Sequence, residues 1–144
     1  MVEERPPREW GITLLWAAIG VAAIVLVVLV ALALRGQPQA KTVEAGPGEY
    51  TPQTALMTAT RRPVVVAGYV FWREGLPPML CEGSYPTAPP RCLGPFLDIV
   101  GFDINRLDLR RAKDGPTDVA WSEEPVRFRG TLRTAHFDVT EVLS

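Results

Sequence analysis

Two cysteines are the residues of this 144-residue chain whose type and spacing point most directly to a chemistry. Cys81 and Cys92 bracket Glu82-Gly83-Ser84-Tyr85-Pro86-Thr87-Ala88-Pro89-Pro90-Arg91, a stretch rich in proline and glycine that reads as a loop with little structure of its own. A structural disulfide suits that arrangement. Closing a loop of this length removes unfolded-state entropy worth about 2.5–3 kcal/mol in the chain-entropy model, and the bond requires an oxidising compartment. The spacing is not C-x-x-C, so a thioredoxin-type redox pair is disfavoured. A zinc site would need two more ligands, and the chain has a single histidine, His136, far along the sequence. Neither a metal nor a cofactor is expected.

The other candidates are weaker. His136 stands beside Phe137 at the entrance to a strand, where a histidine ordinarily has no specific role; its functional alternatives are an axial haem ligand or a pH sensor. Arg127, Arg129 and Arg133 fall on one face of a strand, a surface suited to an anion, a lipid head group or a partner. The plainer reading pairs them across strands with Asp138 or Glu141. Asp98, Asp103, Glu123 and Glu124 form no pattern that implies paired acid–base work. With no nucleophile–base pair in view, no catalytic residue is assigned and a binding or accessory role is expected rather than an enzyme.

The elements that must position these residues are short strands. Val64 to Trp72 is β-branched and aromatic, the composition of a strand buried on both faces, and Gly68 in its middle suggests a bulge or sharp coil. Further strands are expected at Pro78 to Cys81 and Phe96 to Phe102. Asp103 then caps a helical turn carrying Ile104 and Leu107, and the polar loop Lys113-Asp114-Gly115-Pro116 ends it. Val126 to Arg133 alternates strictly: Val126, Phe128, Gly130 and Leu132 face one way, Arg127, Arg129, Thr131 and Arg133 the other. A tight connection at Thr134-Ala135 leads to a last strand, Phe137 to Leu143. Five short strands with a helical turn before the fourth predict an all-β domain, a small five-stranded OB-like barrel over residues 61–144.

Ahead of that domain the composition changes. Trp10 to Leu34 is an uncharged run of 25 residues, enough helix to cross a ~30 Å hydrocarbon core. Trp10 marks one polar edge and Arg35 the other. Ala31-Leu32-Ala33 offers a small-x-small cleavage site, but the run is longer than a signal peptide's apolar region and leaves no polar segment before the cut, which favours an uncleaved anchor. No cysteine lies near the run, so a lipoprotein anchor is excluded. Ala18-x-x-x-Ala22 is a weak helix-pairing motif. Residues 1–9 then form a short cytoplasmic tail, 10–34 a transmembrane helix and 35–60 a flexible, proline- and glycine-bearing linker. Arg5, Arg8 and the α-amino group outweigh Arg35 and Lys41 only slightly, so the cysteines decide the orientation: a single-pass protein of the cell membrane with its C-terminal domain outside the cytoplasm.

Charge narrows the partners. Residues 35–144 hold 13 basic and 13 acidic side chains, and a nucleic-acid interface would show a basic excess. The expected partners are the lipid bilayer, through residues 10–34, and another membrane or envelope protein, with no nucleic acid.

Two resemblances accompany this reading. The run Leu80-Cys81-Glu82, Ser84-Tyr85-Pro86 and Pro90-Arg91-Cys92-Leu93-Gly94-Pro95, followed by Ile99-Val100-Gly101-Phe102-Asp103, resembles a segment of uncharacterised bacterial membrane-anchored proteins. Trp121 and Val126 to Leu132 match a later part of the same pattern, so the likeness covers about residues 64–143. It implies an anchored two-cysteine domain without an assigned activity. More faintly, the anchor, the barrel and the ending Gly130-Thr131-Leu132, Phe137 and Glu141-Val142-Leu143 are similar to the periplasmic haem chaperone of cytochrome c maturation. That family implies haem carriage through a His-Asp-Glu-x-x-Tyr run, which is not among these residues.

Overall fold

The structure is a computed structural model that describes residues 10–35, 39–58, 61–134 and 136–143; within the first helix it describes side chains at 22–33 and 35. The expected tail at 1–9, the side chains of Trp10 and Ala18, and Ala135 of the expected tight connection lie outside the described residues. The chain divides into two compact units, Met1–Pro38 and Gln39–Ser144.

The first unit contains α1, Trp10–Arg35, 26 residues closing on a basic last turn. It coincides with the uncharged run. Among the described residues no helix is long and apolar enough to cross a membrane.

The second unit is β-rich. In chain order it comprises β1 (Lys41–Thr42), β2 (Glu49–Tyr50), α2 (Pro52–Thr58), β3 (Val64–Arg73), β4 (Met79–Tyr85), β5 (Arg91–Val100), a 3-10 turn (Ile104–Arg106), β6 (Arg110–Asp114), β7 (Thr117–Trp121), β8 (Val126–Arg133) and β9 (His136–Leu143). The five expected strands correspond to β3, β4, β5, β8 and β9, and Asp103 caps the turn by accepting from the Asn105 N–H at 3.0 Å. The count of five is corrected to nine strands in one sheet among the described residues. The hairpin β6–β7 is hidden by its charges: the expected polar loop Lys113-Asp114-Gly115-Pro116 contains its turn, and Arg110-Arg111-Ala112-Lys113-Asp114 lies at the end of the strand order, where charged side chains are what an edge strand tolerates.

Five strands close on themselves. β3 pairs with β4, β4 with β5, β5 with β9, β9 with β8, and β8 with β3. All of these pairings are antiparallel except β5–β9, which is parallel. Order β8-β3-β4-β5 around this ring is the 4-1-2-3 order of a Greek key, with β9 filling the remaining gap. Alternate residues from every ring strand meet in one apolar cluster: Val66 and Val70, Leu80, Leu97 and Ile99, Phe128 and Leu132, Phe137 and Val139. A second cluster lies on the other face of β3 and β4, where Val43, Ala67, Tyr69, Phe71 and Cys81 pack with Met79, Cys92 and Trp121. Two clusters on opposite faces explain why β3 reads as apolar along nearly its whole length.

Glycine marks two close approaches inside the ring. A Cβ at Gly68 would stand 2.7 Å from Leu80 Cγ and 2.8 Å from the Cys81 carbonyl oxygen. At Gly130 it would overlap the Asp138 carbonyl oxygen. The bulge expected at Gly68 is found elsewhere: the register shifts lie at Cys81/Gly83 on β4 and Arg129/Gly130 on β8. At Gly68 β3 instead changes partner, leaving β8 and taking β7 from Phe71 onward.

Ser122 bridges that change. Its N–H donates to the Val70 carbonyl at 2.9 Å, and its Oγ accepts from the Val70 N–H at 3.0 Å. Both residues are buried. The hydroxyl thus stands in for the rung that neither β7 nor β8 supplies. Ser122→Ala is expected to leave the Val70 N–H without its acceptor and to cost about 1–3 kcal/mol, read as a lowered denaturation midpoint at unchanged slope. A cost near zero would show that this N–H finds another acceptor.

The expected linker, 35–60, is corrected over residues 39–58, which join the second unit. Pro47-Gly48 makes a turn in which the Glu49 N–H donates to the Gly46 carbonyl at 3.0 Å, with Gly48 at φ 78°. Thr51 then caps α2: its Oγ1 accepts from the Thr54 N–H at 3.3 Å while Thr54 Oγ1 accepts from the Thr51 N–H at 2.7 Å, a reciprocal cap completed by Pro52 in the first turn. Burial holds the segment in place. Ala55 enters the ring cluster and Val43 the second one. Thr51-Pro52-x-Thr54 was the legible signal.

Candidate functional site

Cys81 and Cys92 are bonded, with Cα atoms 5.6 Å apart. The loop they close is shorter than its sequence suggests. Ser84 pairs with Cys92 and Tyr85 with Arg91, so only residues 86–90 turn the β4–β5 hairpin. Strand pairing supplies the order that the proline content seemed to deny. The bond ties the hairpin to the second apolar cluster, since Cys81 is fully buried and Cys92 packs beside it.

That cluster floors a concave surface. Across the sheet, Trp121 of β7 lies opposite Phe71 of β3, Phe71 opposite Met79 of β4, and Met79 opposite Asp98 of β5. Directly opposed residues share a face. Trp121, Phe71 and Met79 therefore form one apolar row, walled by Pro89, Pro90 and Arg91 from the hairpin tip and by the paired Arg73 and Asp114. The resulting cleft measures about 470 Å³. A second cleft of about 310 Å³ adjoins it, sharing Pro90 and Trp121 and bounded by Lys41, Glu123 and Glu124. Burial and the Glu124 carboxylate raise the Tyr69 hydroxyl's pKa within the cluster beneath, keeping it neutral.

The sequence-predicted residues lie away from this concavity, apart from the cysteines. Arg127, Arg129 and Arg133 do project from one side of β8, but each has an acidic neighbour. Arg129 Nη1 meets Glu141 Oε2 at 2.6 Å and Arg133 Nε meets Asp138 Oδ2 at 2.7 Å, the cross-strand pairs of the plainer reading. Arg127 Nε meets Glu49 Oε1 at 3.0 Å, a partner drawn from the segment read as a linker. An anion would have to displace a carboxylate at each position. His136 is exposed at the start of β9, its Nδ1 3.5 Å from Asp98 Oδ2. Among the described residues no group of three or more His, Cys, Asp or Glu is placed to hold a metal ion.

Glu49 is the most clearly tuned carboxyl here. The Gly46 N–H, and then the Arg127 guanidinium, hold it below its ordinary value of 4.5, against a desolvation that acts in the opposite direction. Such a group binds its proton more readily in the unfolded chain, so its contribution is complete above the unfolded value and is lost as pH falls through the depressed one. Glu49→Gln is accordingly expected to lower the urea midpoint at neutral pH, with the gap to wild type closing below pH 4.5. A gap unchanged by acid would reject the assignment.

Sequence reasoning missed the cleft floor. Trp121 stands out in the sequence only through the first resemblance, and Phe71 and Met79 read simply as strand residues. The available signal was Pro89-Pro90-Arg91 next to a cysteine, with an isolated tryptophan before the polar run Ser122-Glu123-Glu124. The chain matches no protein-family model, no curated protein and no solved structure.

Proposed function

We propose that this chain is a membrane-anchored extracytoplasmic binding module, an accessory part of an envelope complex, which engages a membrane or envelope protein through the Trp121 cleft. The observation that carries the reading is the disulfide-braced cleft over the row Trp121–Phe71–Met79, walled by Pro89 and Pro90. Ligand sites are concave and combine apolar side chains with a few placed polar groups, and this cleft sets Trp121, Phe71 and Met79 beside Arg73, Arg91 and Asp114. The Greek-key ring supports an OB-like architecture, with β6–β7 added beside β3.

The anchor rests on the uncharged run Trp10 to Leu34 and on the exposed apolar side chains Ile24 to Val30 of α1, which require a non-aqueous cover. The outside location rests on the disulfide, which persists in oxidising compartments. Photo-crosslinkers placed singly at the cleft rim and at Arg129 test the reading in intact cells. Adducts with one membrane or envelope protein are expected from the rim alone. Equal adducts from both positions, or rapid alkylation of both cysteines without reductant, would reject it.

A further inference from the structure

Arg91 is the one strand-borne basic side chain among the described residues without an ion pair or hydrogen bond. Lys41, Arg73, Arg110, Lys113, Arg127, Arg129 and Arg133 all face carboxylates. Arg111 donates to Asn105 Oδ1 at 2.8 Å and lies over the Trp72 ring. Arg91 is exposed on the wall of the larger cleft, above an apolar floor. In a domain with 12 basic and 13 acidic residues over 39–144, leaving one guanidinium unanswered beside a concave surface with an apolar floor makes that surface complementary to an anion with an apolar body.

The shape selects the occupant. The two clefts share Trp121 and Pro90, so they adjoin at these residues and offer one surface with two lobes, of about 470 Å³ and 310 Å³. A compact molecule fills one lobe; an extended chain fills both. The charges at the two ends differ in sign. Arg91 stands on the larger lobe and Glu124 on the smaller, where Glu123 is paired with Arg110 but Glu124 meets Lys41 only at 3.9 Å. Aromatic grooves of this kind hold extended, proline-bearing segments, whose fixed backbone loses little entropy on docking.

We propose that the groove binds an extended segment of a partner polypeptide, with proline or another apolar residue on Trp121 and an Asp or Glu side chain on Arg91. The inference rests on the cleft being the binding surface. Full-length protein in lipid nanodiscs, disulfide intact, is panned against a random-peptide library, with empty nanodiscs as control. Enriched peptides are expected to carry an acidic residue next to proline or an aromatic. A synthetic representative should bind Arg91→Glu about tenfold or more weakly than wild type, and replacing the peptide's acidic residue by Lys should restore binding to that variant. Arg129→Glu, on the separate β8 face, should bind as wild type does. Arg91 is exposed, so an unchanged melting temperature for Arg91→Glu confirms that the fold is retained.

No enrichment over empty nanodiscs, enrichment without an acidic preference, or indifference to Arg91→Glu would overturn the proposal. So would octanoate competing as tightly as the peptide, which would assign the site to small carboxylates. If rim cross-links persist while Arg91→Glu has no effect, only this inference falls. If the cross-links vanish, the binding reading falls with it.

Discussion

Phe128→Ala should destabilise the β domain by about 3–5 kcal/mol, the largest single-residue effect expected in this chain. Phe128 is fully buried at the centre of the ring cluster, and its ring stands edge-on to Phe102 with centroids 5.5 Å apart. Truncation removes the transfer energy of the ring, opens a cavity between β3 and β8, and forfeits the aromatic pair. The closed pairing cycle limits how far the walls can collapse inward. Domains of this size are stable by about 5–15 kcal/mol, so the loss is a large fraction of the whole. Phe96→Ala is the control: that ring is 47% exposed on the outer side of β5 and should cost about half a kcal/mol or less. Urea denaturation of both variants separates the two predictions. Equal costs would show that the ring interior is not the stabilising core.

Replacing Cys81 and Cys92 together by Ser should lower stability by about 2.5–3 kcal/mol, since the cross-link constrains the unfolded chain more than it adds contacts to the folded one. The structure adds a local consequence. The sulfurs sit in the cluster beneath Trp121, and the hairpin they tether carries Pro89, Pro90 and Arg91. The double variant should therefore lose order first at the cleft wall, with faster amide exchange in β4 and β5 around the hairpin than in β8 and β9. A stability change below about half a kcal/mol would mean the strand pairing already holds the hairpin closed. Uniform exchange across all strands would reject the local role.

The strands were legible because their signal is local. Val126 to Arg133 alternates one residue in, one out, and β8 follows that pattern, with Phe128, Gly130 and Leu132 buried and Arg127, Arg129 and Arg133 exposed. The disulfide was legible because no other thiol competes for either partner. The β6–β7 hairpin and the segment 39–58 escaped for the opposite reason. Their composition is polar or broken by proline and glycine, and they become ordered through contacts made far along the chain: Val43 against the β3–β4 face, Ala55 into the ring, Glu49 on Arg127.

By itself, then, the sequence determined the uncharged helical run, the β-rich class, the cysteine pair and the core of each ring strand, while residues 82–85 of β4 and 91–95 of β5 read as loop. Only the tertiary structure decided how the ring closes, which arginines are already neutralised, and that Trp121, Phe71 and Met79 stand in one row in a cleft that Arg91 also lines. Strand register decides those points, and register depends on pairings between residues distant in sequence. A one-residue slip would turn each of these side chains to the opposite face. The close approaches at Gly68 and Gly130 forbid that slip, because any residue with a Cβ there would meet Leu80 and the Cys81 carbonyl or the Asp138 carbonyl, and those neighbours exist only in the assembled sheet.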